Sequence, residues 1–232
     1  VCLDKWALLQ ACAFQVAVPK TRLCGQKKPR WTDFPCIVKP RTGSGSRGVV
    51  RLDSEDMLNS VPRIDKLLLQ EYLPGEEYSV DVYAGADGAV HAAVPRLRLK
   101  VDSGVAITSR TINDPEMIES ACQVATVIGL RGVANVQFRR DRHGIPRLLE
   151  VNPRFAGAMA LTVASGVNIP RLAIDELFGI APPAGLIPFK EIAMARTFHE
   201  TYVRPEEVLT LEARAEAEAS MSITDERRVA NG

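Results

Sequence analysis

Residues 132–154, "GVANVQFRRDRHGIPRLLEVNPR", constrain the fold more than any other stretch, because two alternating runs about a tight turn make an antiparallel hairpin. Alternation sorts Ala134, Val136, Phe138, Leu149 and Val151 onto a core face, and Asn135, Gln137, Arg139, Glu150, Asn152 and Arg154 onto the other. A two-residue turn at His143-Gly144 sets Gln137 opposite Glu150 across the ladder. Gln137, Glu150 and Asn152 then gather oxygen donors beside the Arg154 cation. Mg²⁺ takes few carboxylates, several waters and phosphate oxygens, so this trio is a sensible partial shell. Arg154 suits a phosphate on the same face. An ordinary solvated sheet face is polar as well, but it favours Lys, Glu and Thr over amides, and Pro153 is an odd choice in a plain strand. On this stretch alone both readings stand.

A second stretch, "CIVKPRTGSGSRGVV" at 36–50, raises the question of phosphate binding. A P-loop needs Lys and then Ser or Thr after its last glycine, where this chain has Val49 and Val50. The dinucleotide fingerprint G-x-G-x-x-G matches Gly43, Gly45 and Gly48, but it must open a helix. "GVVRL" is β-branched and short, so the order is strand, glycine loop, strand: a hairpin lid. Glycines let backbone N–H groups approach an anion, and Lys39 and Arg47 add charge. A plain glycine-serine hairpin tip is the alternative. Between these stretches, "LLLQEYLPGEEYS" places Glu71 at the end of a buried strand, where backbone groups can meet a purine edge while Glu77 takes ribose hydroxyls. Two solvated glutamates beside a β-turn is the plainer reading.

The remaining pattern assigns a helix over 4–14 capped by Asp4, a short helix capped by Asp53 or Ser54, and a strand–turn–strand about Pro74-Gly75. Another strand follows the Asp87-Gly88 turn, a helix "PEMIESACQVATVIGL" ends at Gly129, and helices cover "AMALTVASG" and "IPRLAIDELFG". Strands and helices are segregated rather than alternating, which predicts an α+β class in two lobes. The expected divisions are 1–72, a helix with a small lobe; 73–205, a larger lobe with the metal site; and 206–232, a charged, alanine-rich tail fraying from a short helix into disorder.

A net charge of +1 over 232 residues and no basic tract interleaved with aromatics argue against a nucleic-acid partner. Apolar runs are too short for a membrane span, and no secretory leader pattern is seen, so the expected compartment is the cytoplasm. The five cysteines never form C-x-x-C and read as buried free thiols. There is no G-x-S-x-G elbow to pair with the scattered histidines. The start, "VCLDKWALLQACAF", lacks an initiator Met and enters a helix at once, as expected of a piece of a longer protein.

The order Lys39, glycine hairpin, "QEYLPGEEYSVDV", "NVQF" and "LLEVNPRFAG" resembles the ATP-grasp superfamily over residues 4–200. "NVQF…EVNPR" is most similar to the carbamoyl-phosphate synthase large-subunit branch. The resemblance implies ATP between two α+β lobes, with Lys5 and Lys39 as basic nucleotide contacts. Thr42, Gly43, Ser44, Gly45, Ser46 and Gly48 would form the phosphate loop, Glu71, Tyr72 and Leu73 the adenine hinge, and Glu77 the ribose acceptor. Gln137, Glu150 and Asn152 would hold Mg²⁺ (or Mn²⁺). Arg154 would steady the transferred phosphoryl group, with Arg98 and Lys100 near the γ-phosphate and acceptor. The implied activity is an ADP-forming carboxylate–amine ligase acting on small-molecule carboxylate (or bicarbonate or carbamate) and amine substrates, with a homo-oligomer possible. A biotin-carboxylase-like ligase and a non-catalytic nucleotide-binding module are the alternatives. Gln137 replaces the acid of many relatives, as in the synthase branch, and the amino-terminal αβ domain that usually contributes to acceptor binding is missing from this stretch of sequence.

Overall fold

The computed structural model describes residues 1–25, 30–43, 45, 47–62, 64–102, 105–197, 202 and 204. The contacts divide the chain into Val1–Arg196 and Thr197–Gly232. The expected tail at 206–232 lies outside the described residues.

Within Val1–Arg196, the strands form two antiparallel sheets. The smaller contains β1 (Thr21–Leu23), β2 (Cys36–Pro40), β3 (Val50–Leu52) and β4 (Leu67–Glu71) in the order β1-β4-β2-β3. Val38 opposes Val50 and Cys36 opposes Leu52, so the glycine loop does join two paired strands. Alternation on β2 sends Cys36 and Val38 into a small core with Trp31, Leu52, Leu58 and Leu69. The opposite face carries Ile37 and Lys39. Helix α2 (Glu55–Asn59) starts at Ser54, whose side chain accepts from the Met57 N–H.

The larger sheet contains β5 (Glu77–Ala84), β6 (Val90–Asp102), β7 (Val105–Thr111), β8 (Gly132–Arg140), β9 (Pro146–Asn152) and β10 (Ala193–Ala195), ordered β10-β7-β6-β5-β8-β9. One face packs on α3 (Pro115–Val127) and α1 (Lys5–Cys12) through Tyr78, Val80, Val82, Leu97, Val136, Phe138 and Val151. Helix α1, grouped with the small lobe by sequence order, buries Leu8, Leu9 and Cys12 in this larger core. Its start is tied back to the end of β2. Asp4 caps the helix by accepting from the Trp6 and Ala7 N–H groups, and it pairs with Arg41 at 2.5 Å. The Arg41 guanidinium holds the Asp4 carboxyl down at about 2.

The other face of the larger sheet is zoned. At one end Tyr83, Ala92 and Val94 pack under α4 (Met159–Ala164) and α5 (Ile169–Leu177). In the middle lies a buried polar network, in which Arg96 and Asp81 form a bidentate pair at 2.9 Å with exposures of 2% and 0%. Asp81 also accepts from the Thr162 hydroxyl at 2.6 Å and the Asn135 amide at 2.8 Å. The far end, bearing Glu77, Gln137, Arg139 and Glu150, meets the small sheet.

Register on the β8–β9 hairpin is as expected at one place and not at another. Gln137 does oppose Glu150. The turn, however, is longer than two residues, because Asp141 N–H donates to Ile145 O while the Asp141 carboxylate accepts from the His143 and Ile145 N–H groups. That shift is cancelled by a bulge between Gln137 and Phe138, where Phe138 opposes Leu148. The core position expected for Leu149 therefore belongs to Leu148, which is fully buried, and Leu149 is turned to the opposite face.

Candidate active site

A cleft of about 210 Å³ runs between the sheets. The small sheet lines it with Ile37, Lys39, Pro40, Gln70, Glu71 and Tyr72, and the large sheet with Glu77, Gln137, Arg139, Leu149 and Glu150. Lys5, Thr42, Gly43, Arg47, Val49 and Leu73 complete the wall. Three distant sequence stretches thus converge on one cavity, which sequence order suggested and only folding could bring about. Gly43, Gly45 and Gly48 all adopt positive φ (121°, 70° and 72°), a turn conformation that side-chain-bearing residues resist. Ser44 and Ser46 lie outside the described residues.

Two ammonium groups stand over the cleft's polar end. Lys5, at the first turn of α1, donates to the Gly43 carbonyl at 2.7 Å and sits 3.4 Å from a Glu150 oxygen. Lys39 is 7% exposed. Burial pushes its pKa down to about 8, against the supporting charges of Glu150 and Glu77, with Lys5 adding to the depression. Such a buried cation gains most from an anion brought into the cleft.

Glu71 accepts the Lys20 N–H at 3.0 Å with its carboxylate, while Tyr72 is stacked by the Arg51 guanidinium at 4.8 Å. Residues 71 and 72 are therefore held from both sides, one of them strand β3. Glu77 receives a hydrogen bond from Arg98 and a longer one, 3.4 Å, from Arg139. Asn152 donates its amide to Glu150 at 3.0 Å.

The remaining sequence candidates sit differently. Arg98 reaches Glu77 but is not part of the cleft wall. Lys100 is exposed beyond a bulge in β6, and Arg154 is exposed with its guanidinium on the Phe155 carbonyl at 3.1 Å. Asn152 is not part of the wall and reaches it through its bond to Glu150. Ile37, Gln70, Arg139 and Leu149 line the cleft without having been singled out as site residues. Ile37 was within reach, since it alternates with Cys36 and Val38 beside Lys39; Leu149 depends on the bulge, for which the sequence offers no signal.

For a cation, the donor set is one carboxylate and two amides, Glu150, Gln137 and Asn152. Among the described residues no cluster of three His, Cys, Asp or Glu could hold an ion unaided. The oxygen donors fit a hard divalent cation that arrives with phosphate oxygens of its own.

The fold and this cleft define an ATP-grasp protein. Residues 63–199 match the family described as "ATP-grasp in the biosynthetic pathway with Ter operon", and the chain belongs to that family. It is 27% identical over 215 residues to the vancomycin B-type resistance protein VanB of Enterococcus faecalis, covering 78% of this chain and 62% of that protein. It is 28% identical over 108 residues to the D-alanine--D-alanine ligase of Thermotoga petrophila, covering 43% and 35%. Among solved structures, N5-carboxyaminoimidazole synthetase from Staphylococcus aureus superposes with a TM-score of 0.67 at 16% identity, over 83% of this chain and 55% of that one. The chain thus spans 62% or less of each of these relatives. Among the described residues, no helix is long and apolar enough to cross a membrane.

Proposed function

We propose that the chain is the nucleotide-gripping part of an ADP-forming ligase that activates a carboxylate as an acyl phosphate for capture by an amine. The observation that carries this reading is the convergence of Lys5, Lys39, the 71–73 hinge, Glu77, Gln137 and Glu150 on a single cleft. In it, Glu71, Tyr72 and Leu73 hold the base, Glu77 takes the ribose, and Lys5 and Lys39 face the phosphates. Gln137, Glu150 and Asn152 would hold Mg²⁺, which would supply charge neutralisation at the phosphate oxygens. A carboxylate oxygen attacks the γ-phosphorus, the bond to the ADP oxygen breaks, and Lys39 meets the spreading charge from its buried position. Amine attack on the acyl carbon then releases phosphate, and the amine proton is lost. The D-alanine--D-alanine ligase relative supports this reaction class.

The resemblance of "NVQF…EVNPR" to the carbamoyl-phosphate synthase branch supports a second, finer reading in which the carboxylate is bicarbonate or carbamate. Incubation with ATP, a cation, and either bicarbonate or a panel of amino acids separates the two. The expected products are ADP and phosphate, with hydroxylamine trapping an acyl phosphate as a hydroxamate. AMP and pyrophosphate as stoichiometric products would overturn the mechanism. No turnover with any acceptor, despite tight nucleotide binding, would leave the non-catalytic module, for which the exposed positions of Arg154 and Lys100 speak.

Lys39 makes this reading sensitive to pH. Without ligand its amine loses a proton near pH 8 in the folded chain and near 10.5 in the unfolded one. Between those values the unfolded chain holds more protons, so stability rises with pH across that window, and the cost of a buried ammonium is fully present below it. Phosphate oxygens favour the charged form. Nucleotide affinity is therefore expected to fall as pH climbs above about 8. Calorimetry at pH 8.5 in buffers of different ionisation enthalpy should show proton uptake on binding, which Lys39→Met abolishes. Equal heats in all buffers would refute the assignment.

A further inference from the structure

We infer that Asp81, which lies outside the cleft wall, is a positioning residue that orients the amide of Gln137 for the bound cation, acting through Asn135. The inference rests on the nucleotide–metal reading above and deepens it. An amide ligates a hard cation only through its oxygen, and amide O and N are told apart by their partners. Asp81 is a fully buried carboxylate that only accepts, and its oxygens already receive two bonds from Arg96 and one from Thr162. Asn135 must therefore present its NH₂ to Asp81, as it does at 2.8 Å. The Asn135 oxygen is then turned toward Gln137, whose NH₂ reaches it at 3.5 Å, the long end of hydrogen bonding. With its nitrogen committed inward, Gln137, which lines the cleft, has its oxygen left for the cation.

The neighbouring amide follows the same rule by a shorter route. Asn152, paired with Asn135 across the ladder, gives its NH₂ to Glu150 at 3.0 Å. Each amide of the donor set thus has its polarity fixed by a carboxylate: Asn152 directly, Gln137 by relay. Arg96 balances the charge of Asp81 within a fully buried pair. A glutamate at position 137 needs no such device, since either of its oxygens can bind a cation whichever way it turns.

The test measures ADP-dependent Mn²⁺ binding by the electron paramagnetic resonance of free Mn²⁺, and ADP binding in EDTA by calorimetry. Asn135→Ala is expected to weaken Mn²⁺ in the ADP complex about tenfold, the lower end of outer-shell effects on metal sites, and to leave metal-free ADP binding unchanged. In a Gln137→Glu background the same change should cost less than about twofold, because no amide remains to be oriented. Wild-type Mn²⁺ affinity in Asn135→Ala overturns the relay, as does an equal loss in both backgrounds or a parallel loss of metal-free ADP binding. If the unaltered protein binds ADP but no ADP-dependent Mn²⁺, the metal reading itself falls and the relay with it.

Discussion

Glu150→Gln is expected to lose about 10²–10³-fold in ADP-forming turnover, on the scale of removing a preorganised charge from a transition-state site, while folding is barely touched. On the proposed reading the carboxylate has three tasks in the cleft. It is the charged member of the donor set, it pairs with Lys5 at 3.4 Å, and its field helps keep Lys39 protonated. Lys5 is buried, but its pair with Glu150 is long at 3.4 Å and it keeps the Gly43 carbonyl as an acceptor, so the isosteric amide does not strand the ammonium. The charge effects do not cancel so easily. Without Glu150, Lys39 retains Glu77 as its supporting carboxylate, and its titration moves further below about 8. The variant should thus show weaker nucleotide binding at neutral pH and an affinity profile displaced toward acid, beyond its loss of turnover. Full activity at saturating Mg²⁺ with an unshifted profile would remove Glu150 from the site.

Much of this arrangement was legible from local pattern. Alternation in 132–154 identified the hairpin and the face that carries Gln137 and Glu150, because one buried face fixes the register strongly. Asp4, Ser54 and Gly129 marked helix ends through their own chemistry, and β-branched Val49-Val50 decided that the glycine loop joins strands. What escaped depends on partners far along the chain. The turn at 141–145 and the bulge at Leu149 offset one another, so Gln137 met Glu150 although both intermediate steps differ from the simple hairpin. The placements of Arg98, Lys100 and Arg154 depend on bulges and on the chain's path after β9, neither of which is written in spacing. Asp81 did carry a signal, a lone acid within the apolar run of "YSVDVYAG", but its partner Arg96 comes fifteen residues later on another strand. Arg51 over Tyr72 is equally non-local.

Arg96→Met is expected to destabilise the protein by about 3–5 kcal/mol, because it strands a carboxylate that has no water to fall back on. Asp81 is fully buried and, among the described residues, would keep Thr162 and Asn135 as donors. In a chain of this size that loss corresponds to roughly 6–20 °C in Tm. Removing both charges is a different matter: Asp81→Leu with Arg96→Met gives up the ion pair together with its desolvation cost, and most of the lost stability should return. Urea unfolding of the two single variants and the double closes the cycle. Near-additive losses would mean that each side chain acts through separate packing rather than through the pair, and a cost under about 1 kcal/mol for Arg96→Met would mean that water reaches the network after all. Stability and metal affinity should part company in the double variant. Its fold is restored, but Asn135 no longer faces an obligate acceptor, so the polarity of Gln137 is released and ADP-dependent Mn²⁺ affinity should stay as low as in Asn135→Ala. A double variant that recovers both would assign the buried pair to folding alone.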